Sequence, residues 1–336
     1  MKPETRNLKP AGAAALVSVA LTLLLYGGVL ALPLYSDDLL QVPWVEATGL
    51  VEFWRTVGPY RDYRPLHFTL WRVLYLLTGD LGPVLLHGLS LAGHALCGLL
   101  VGLLAARWGK RPWLAAPLAA AFFVVFPFAF DAVPWAIGFS YPLTTGLALG
   151  ALLAYLPASE RGSLAGHLSA AMLTGLAGFA HEGGVVAGLV VLVADLALYR
   201  RGRRPSPWPL AHLAGSGLAF FAAAMARPQG TAFHGLAWPD LAYSGAYALQ
   251  ALTFPAAPLA GLLARGGLDP GLAVALVGLP ALAVVGWGAL RAVGTGPVLL
   301  ALGWWVAWCL PPLATLRFDW LSDAPRAFYP AAVGVA

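Results

Sequence analysis

The sequence predicts an all-α polytopic membrane protein, and three observations carry that prediction. Hydrophobic residue types make up 60% of the 336 residues, against roughly 45–50% in soluble domains. Charged residues are only 10%, where about 25% is usual. The chain also divides into apolar runs close to the ~20 residues that a bilayer-crossing helix needs. This composition excludes a disordered chain and argues against an ordinary soluble domain. The 39 glycines, 27 prolines and 13 tryptophans agree, because membrane helices tolerate Gly and Pro and place Trp at headgroup level.

Taken in order, the first run extends from Ala11 to Tyr35 and follows Lys2, Arg6 and Lys9. Val29-Leu30-Ala31 resembles a weak signal-peptidase site, but the stretch exceeds the core of a signal peptide and reads as a membrane helix. Residues 36–80 are the longest polar stretch and form a first outer loop. Within it Pro43 can open a helix that sets Leu50, Val51, Trp54 and Val57 on one side and Glu52 and Arg55 on another. Such a helix suits the membrane interface. A second short helix is predicted over Leu66 to Leu77, after the turn at Arg64-Pro65. Further apolar runs fall at 81–106, 113–130, 137–157, 164–181, 183–200, 208–226, 270–292 and 296–316. Pro255 and Pro258 interrupt 241–264, which is therefore read as lying along the outer surface. About 9–11 membrane helices are expected, in a single transmembrane domain over 1–336. A final run from Ala327 is too short to cross by Ala336, so a further C-terminal part is expected.

Lys and Arg in short loops set the orientation. With the N-terminus inside, 12 of the 20 basic residues are cytoplasmic, including Arg107-Lys110-Arg111, Arg161, the cluster Arg200-Arg201-Arg203-Arg204, and Arg291. Arg227 is among the eight outside. Twelve of the 15 acidic residues then lie outside or at outer helix ends, so polar chemistry concentrates there. The net charge of +5 does not imply a nucleic-acid partner, because the positive residues sit in short clusters between apolar runs rather than on one basic face. Cys97 and Cys309 lie inside apolar runs and read as small hydrophobes. No repeat, Walker motif or dinucleotide fingerprint is visible.

Ser36-Asp37-Asp38-Leu39 stands where the first helix leaves the membrane. A carboxylate there can serve as a general base for an acceptor hydroxyl; it can equally be a solvated helix cap. Tyr60-Arg61-Asp62-Tyr63-Arg64-Pro65-Leu66 follows in the same loop. Its arginines suit a phosphate, or interfacial anchoring. His87, His94 and His167 are more simply packing residues within helices, and Asp195 a partner for the nearby arginines. His234 and Asp240 lie in outer segments where nothing assigns them a role. No ligand spacing links His67, His181 and His234 as a zinc site.

An N-in first helix, an Asp-Asp pair at its outer end, an amphipathic surface helix and a Tyr-Arg-Pro-Leu turn together resemble the GT-C superfamily of integral-membrane glycosyltransferases. That superfamily includes protein O-mannosyltransferase-like and lipid A aminoarabinose transferase-like members; the closest likeness is to the bacterial O-mannosyltransferase-like proteins, whose Tyr-Arg-Pro-Leu turn is followed by a second helix carrying histidines as His87 and His94 do here. The resemblance implies that Asp37 or Asp38 is the catalytic base, with the family pattern leaning to Asp37. It implies acceptor or sugar binding by Asp131, Tyr63, His181 and Glu182. Arg61, Arg64 and Arg326 become lipid-phosphate ligands, Arg326 within Arg-Ala-Phe-Tyr-Pro at the start of a late helix. His181-Glu182 departs from the family's Lys-Glu pair, and the lysine's phosphate contact is lost.

The implied activity is inverting transfer of a mannose-like hexose or related sugar from a polyprenyl-phosphate carrier. The acceptor is a hydroxyl on a protein, lipid or glycan. Topology alone points to such a donor, since nucleotide sugars are made on the cytoplasmic side. The expected setting is a bacterial-type plasma membrane with an extracytoplasmic active site in contact with membrane lipid. No cofactor is identified; a divalent cation is one way to neutralise the leaving phosphate. The competing readings are a transporter or flippase, which would place ionisable residues at mid-depth, and a non-catalytic degenerate transferase.

Overall fold

A computed structural model describes residues 3–199, 206–226 and 238–336. The Arg200–Arg204 cluster, Arg227 and His234 of the sequence reading lie outside those residues. No strand occurs among the described residues. The α-helices are α1 (Pro3–Tyr26), α2 (Asp38–Ala47), α3 (Pro65–Thr78), α4 (Pro83–Trp108), α5 (Pro112–Val124), α6 (Ala129–Ala132), α7 (Ser140–Arg161) and α8 (Leu164–Ala180). They continue as α9 (Ala187–Tyr199), α10 (Trp208–Ala226), α11 (Trp238–Leu252), α12 (Ala257–Arg265), α13 (Pro270–Val293), α14 (Thr295–Thr315) and α15 (Phe318–Asp323).

Among the described residues six helices are long and apolar enough to cross a bilayer: Lys9–Ala31, Pro83–Trp108, Ile137–Arg161, Trp208–Ala226, Pro270–Val293 and Thr295–Thr315. The bent pair Pro239–Leu252 and Phe254–Arg265, which meet at 93°, makes seven if it is one broken span. That is fewer than the 9–11 expected from hydropathy. The runs at 113–130 and 164–181 form helices of 13 and 17 residues. At 1.5 Å per residue these reach about 20–25 Å, short of a ~30 Å hydrocarbon core. The α5 helix stops before Phe126-Pro127, where proline disfavours helical geometry in the residue before it. The α8 helix stops at His181, which is extended (φ −159°, ψ 144°).

Small residues let these helices approach closely, as in membrane bundles. A Cβ on Gly102 of α4 would lie 2.7 Å from both the Ala116 carbonyl oxygen of α5 and the Ala14 Cβ of α1. The main core gathers Phe123, Tyr155, Trp304, Trp308, Phe328 and Tyr329 around these helices. Residues Pro325–Gly334 form a 3-10 helix buried in that core, rather than the start of a late α-helix. Tyr329 Oη and His94 Nδ1 are 2.7 Å apart, and Trp304 Nε1 donates to the Pro330 carbonyl at 2.7 Å.

Alternation of the helices brings the segments at 32–37, 125–139 and 181–186 to one end of the bundle. The turns at 109–111 and 162–163 lie at the other, where Arg107 pairs with Glu160. The first loop folds over the first end. Pro at the first position opens α3, and Gly79 (φ 78°) closes it. The preceding helix is displaced from its expected place: α2 begins at Asp38, runs through Pro43 and ends at Ala47, leaving only a 3-10 turn at Glu52–Trp54. Val42, Val45, Phe53, Phe68, Trp71, Trp135 and Ile137 form a second core, which fastens the loop to the segment before α7.

Candidate functional site

A cleft of about 460 Å³ opens between the first loop, the segment before α7 and the chain near α15. Asp37, Gln41, Tyr60, Asp62 and Arg64 line it from the loop. Trp135, Gly138 and Tyr141 line it from the second segment, and Trp320 and Arg326 from the third.

Asp37 and Asp38 diverge. Ser36 adopts φ 53°, which turns the chain sharply into α2, with Asp37 at the N-cap and Asp38 in the first turn. Asp37 lines the cleft beside the Tyr60 hydroxyl, which hydrogen-bonds it, and accepts weakly from Ser36 Oγ at 3.5 Å. Asp38 points the other way and is fully buried. Its Oδ1 accepts the Ile137 N–H at 2.9 Å, and its Oδ2 has no partner. Burial pushes the Asp38 carboxyl up to about 6, although the backbone donors oppose it. Asp38 thus ties α2 to the segment before α7 and is not among the groups lining the cleft.

Arg64 and Arg326 line the same cleft, and each is held by a carboxylate from elsewhere in the chain. Arg64 Nε donates to Glu182 Oε2 at 3.0 Å, and its Nη1 to Ser140 Oγ at 3.4 Å. The other oxygen of Glu182 accepts the Tyr63 N–H at 3.0 Å. Asp62 lies 3.8 Å from Arg64 and accepts from Gln41 Nε2 at 3.5 Å. Burial disfavours the Arg64 charge, but Glu182 and Asp62 outweigh it and hold the guanidinium pKa above its usual value. Burial in turn raises Asp62, with Arg64 opposing. Arg326 donates to Asp131 Oδ2 through both its Nη1 (2.9 Å) and its backbone N–H (3.3 Å). Its guanidinium carbon lies 4.0 Å from the Trp135 ring centre and 5.7 Å from that of Trp320, a cation–π arrangement.

The remaining residues assigned from sequence fall outside the lining. Arg61 is exposed, in left-handed geometry (φ 63°). The Tyr63 side chain is buried and donates to the Trp54 carbonyl at 3.1 Å, so its backbone rather than its hydroxyl serves the site. His181 accepts the Gly183 N–H at 3.0 Å and packs against Tyr141. Glu182 and Asp131 act on the two arginines. Among the described residues, no three His, Cys, Asp or Glu side chains converge as metal ligands.

Sequence reasoning gave no role to Gln41, Trp135, Tyr141 or Trp320. Gln41 was detectable, because it stands four residues after Asp37 and so shares its face of α2. The aromatic residues carried no local signal.

No protein-family model, curated protein or solved structure matches this chain.

Proposed function

We propose that this protein is a membrane glycosyltransferase. It moves a hexose or related sugar from a polyprenyl-phosphate carrier to an acceptor hydroxyl at the extracytoplasmic face of a plasma membrane. The single observation that carries the reading is one cleft lined by an accessible carboxylate, Asp37, and two guanidinium groups, Arg64 and Arg326.

In this reading Asp37 takes the proton from the acceptor hydroxyl. The acceptor oxygen bonds to the anomeric carbon as the bond from that carbon to the phosphate oxygen breaks, with inversion. The lipid phosphate leaves with the electron pair and needs no proton. Its charge is met by guanidinium groups already fixed in place, so little reorganisation is needed at the transition state. The position of the family's lysine is taken here by His181, and the cation bonded to Glu182 is Arg64. Basic residues at the opposite end of the bundle, Arg107, Lys110, Arg111 and Arg161, support a cytoplasmic N-terminus.

The test is Asp37→Asn in membranes supplied with radiolabelled polyprenyl-phosphate mannose. Transfer should fall by about 10²–10⁴-fold, the usual contribution of a general base. Undiminished transfer removes Asp37 from the mechanism.

A further inference from the structure

A second groove, of about 730 Å³, lies on the outer surface of the first loop, apart from the cleft. Its charged lining is Glu52, Arg55 and Arg72, and its apolar lining includes Leu50, Val51 and Leu76. The apolar side chains are exposed, Val51 at 63% and Leu76 at 58%. Exposed aliphatic groups beside arginines, on a loop joining membrane helices, suit the headgroup layer of a bilayer.

The charges in this groove are left available. Glu52 and Arg55 stand three residues apart and line the same groove, yet neither side chain has a hydrogen-bond or ion-pair partner among the described residues. Arg72 spends only Nη1, on the carbonyls of Glu46 and Val45 (the latter at 3.5 Å), and lies 5.0 Å over the Tyr75 ring. Those contacts orient the guanidinium and leave its Nε and Nη2 unused by the described residues.

We propose that this groove binds the headgroup of phosphatidylethanolamine. Arg55 and Arg72 meet the phosphodiester, since guanidinium groups pair with phosphate oxygens through parallel N–H bonds. Glu52 accepts from the primary ammonium, a donor that phosphatidylglycerol lacks and the quaternary nitrogen of phosphatidylcholine cannot provide. The acyl chains leave along Leu50, Val51 and Leu76. A lipid so held links the 3-10 turn to α3, whose N-terminus carries Arg64.

The test uses the full chain, purified in detergent and exposed to equal amounts of phosphatidylethanolamine, phosphatidylglycerol and phosphatidylcholine, with retained lipid counted by native mass spectrometry. Wild type should retain phosphatidylethanolamine over the other two by about tenfold, the worth of one charge-assisted hydrogen bond. Glu52→Gln should abolish the preference over phosphatidylglycerol. Arg55→Gln should lower retention of both lipids, whereas Arg317→Gln, an exposed arginine beside Asp319, should change neither. Equal retention of all three lipids by wild type, a preference that survives Glu52→Gln, or an Arg317→Gln loss as large as that of Arg55→Gln would overturn the proposal. None of these readouts depends on sugar transfer.

Discussion

Asp38→Asn separates the two adjacent carboxylates of the first loop. Asp38 is fully buried, with one oxygen on the Ile137 N–H and the other unpartnered. Burial raises its pKa to about 6, against roughly 3.9 in an unfolded chain. Between those values the folded protein holds a proton that the unfolded chain releases. The stability this group contributes is therefore complete below about pH 4 and is lost as the pH rises through about 6. Two units at 1.36 kcal/mol each make the loss about 3 kcal/mol. Asparagine keeps an oxygen for the Ile137 N–H and never ionises. Asp38→Asn should match wild type near pH 4 and exceed it by up to about 3 kcal/mol at pH 8. Denaturant unfolding of both proteins in detergent from pH 4 to 8 measures this, read as the difference between them at each pH. Taking the difference cancels every other titrating group. A difference that does not vary with pH, or an asparagine variant less stable at pH 8, would show that Asp38 is ionised and satisfied in the fold. Under the proposed function the same variant should retain sugar transfer, which Asp37→Asn should lower by about 10²–10⁴-fold.

Two further outcomes follow from buried or bridging groups. His67 of α3 is fully buried among Phe68, Trp71 and Phe139, with neither ring nitrogen partnered. Burial, then the Arg64 charge, holds its pKa well below 6.5, so its contribution to stability is present above pH 6.5 and lost as the pH falls. His67→Phe should flatten the acid side of the stability profile in unfolding measurements, and an unchanged acid side would refute a neutral His67. Arg326→Lys gives up the planar stack on Trp135 and shortens the reach to Asp131, while the backbone bond to Asp131 remains. Under the proposed function, in which this guanidinium meets the charge of the leaving phosphate, kcat and kcat/KM for a polyprenyl-phosphate donor should fall together by about tenfold; steady-state kinetics in which neither falls would contradict that role.

The helical class was legible because composition and run length are properties of the chain alone. The α3 helix was legible for a local reason as well, with Pro65 at its first position and Gly79 after its last turn. The α2 helix was not. Pro43 is a good helix opener, but the buried bond from Asp38 to Ile137 starts the helix five residues earlier, and that bond joins positions 99 apart. The site followed the same division. Residue types in the first loop announced acid and guanidinium chemistry. The pairings that arrange them, Arg64 with Glu182 and Arg326 with Asp131, span 118 and 195 residues, and no local pattern encodes them. Two helices, α5 and α8, fell below spanning length because hydropathy continues through Phe126-Pro127 and His181, where the backbone turns.

The same pairings also discriminate among the carboxylates. A base must reach the acceptor and must not be committed to another charge. Glu182 is bonded to Arg64 and to the Tyr63 N–H. Asp131 is committed to Arg326, and Asp62 lies against Arg64 and Gln41. Asp38 has no cation but also no access to the cleft. Asp37 is the one carboxylate of these five that both lines the cleft and lacks an ion-pair partner among the described residues. The carboxylates that the family resemblance gave to substrate are here occupied in fixing two guanidinium groups. For the substrate of the proposed function, that arrangement would remove potential hydrogen-bond partners but set positive charge in place for a phosphate. The orientation of Arg64 and Arg326 therefore depends on Glu182 and Asp131, and under the proposed function proton removal would fall to Asp37.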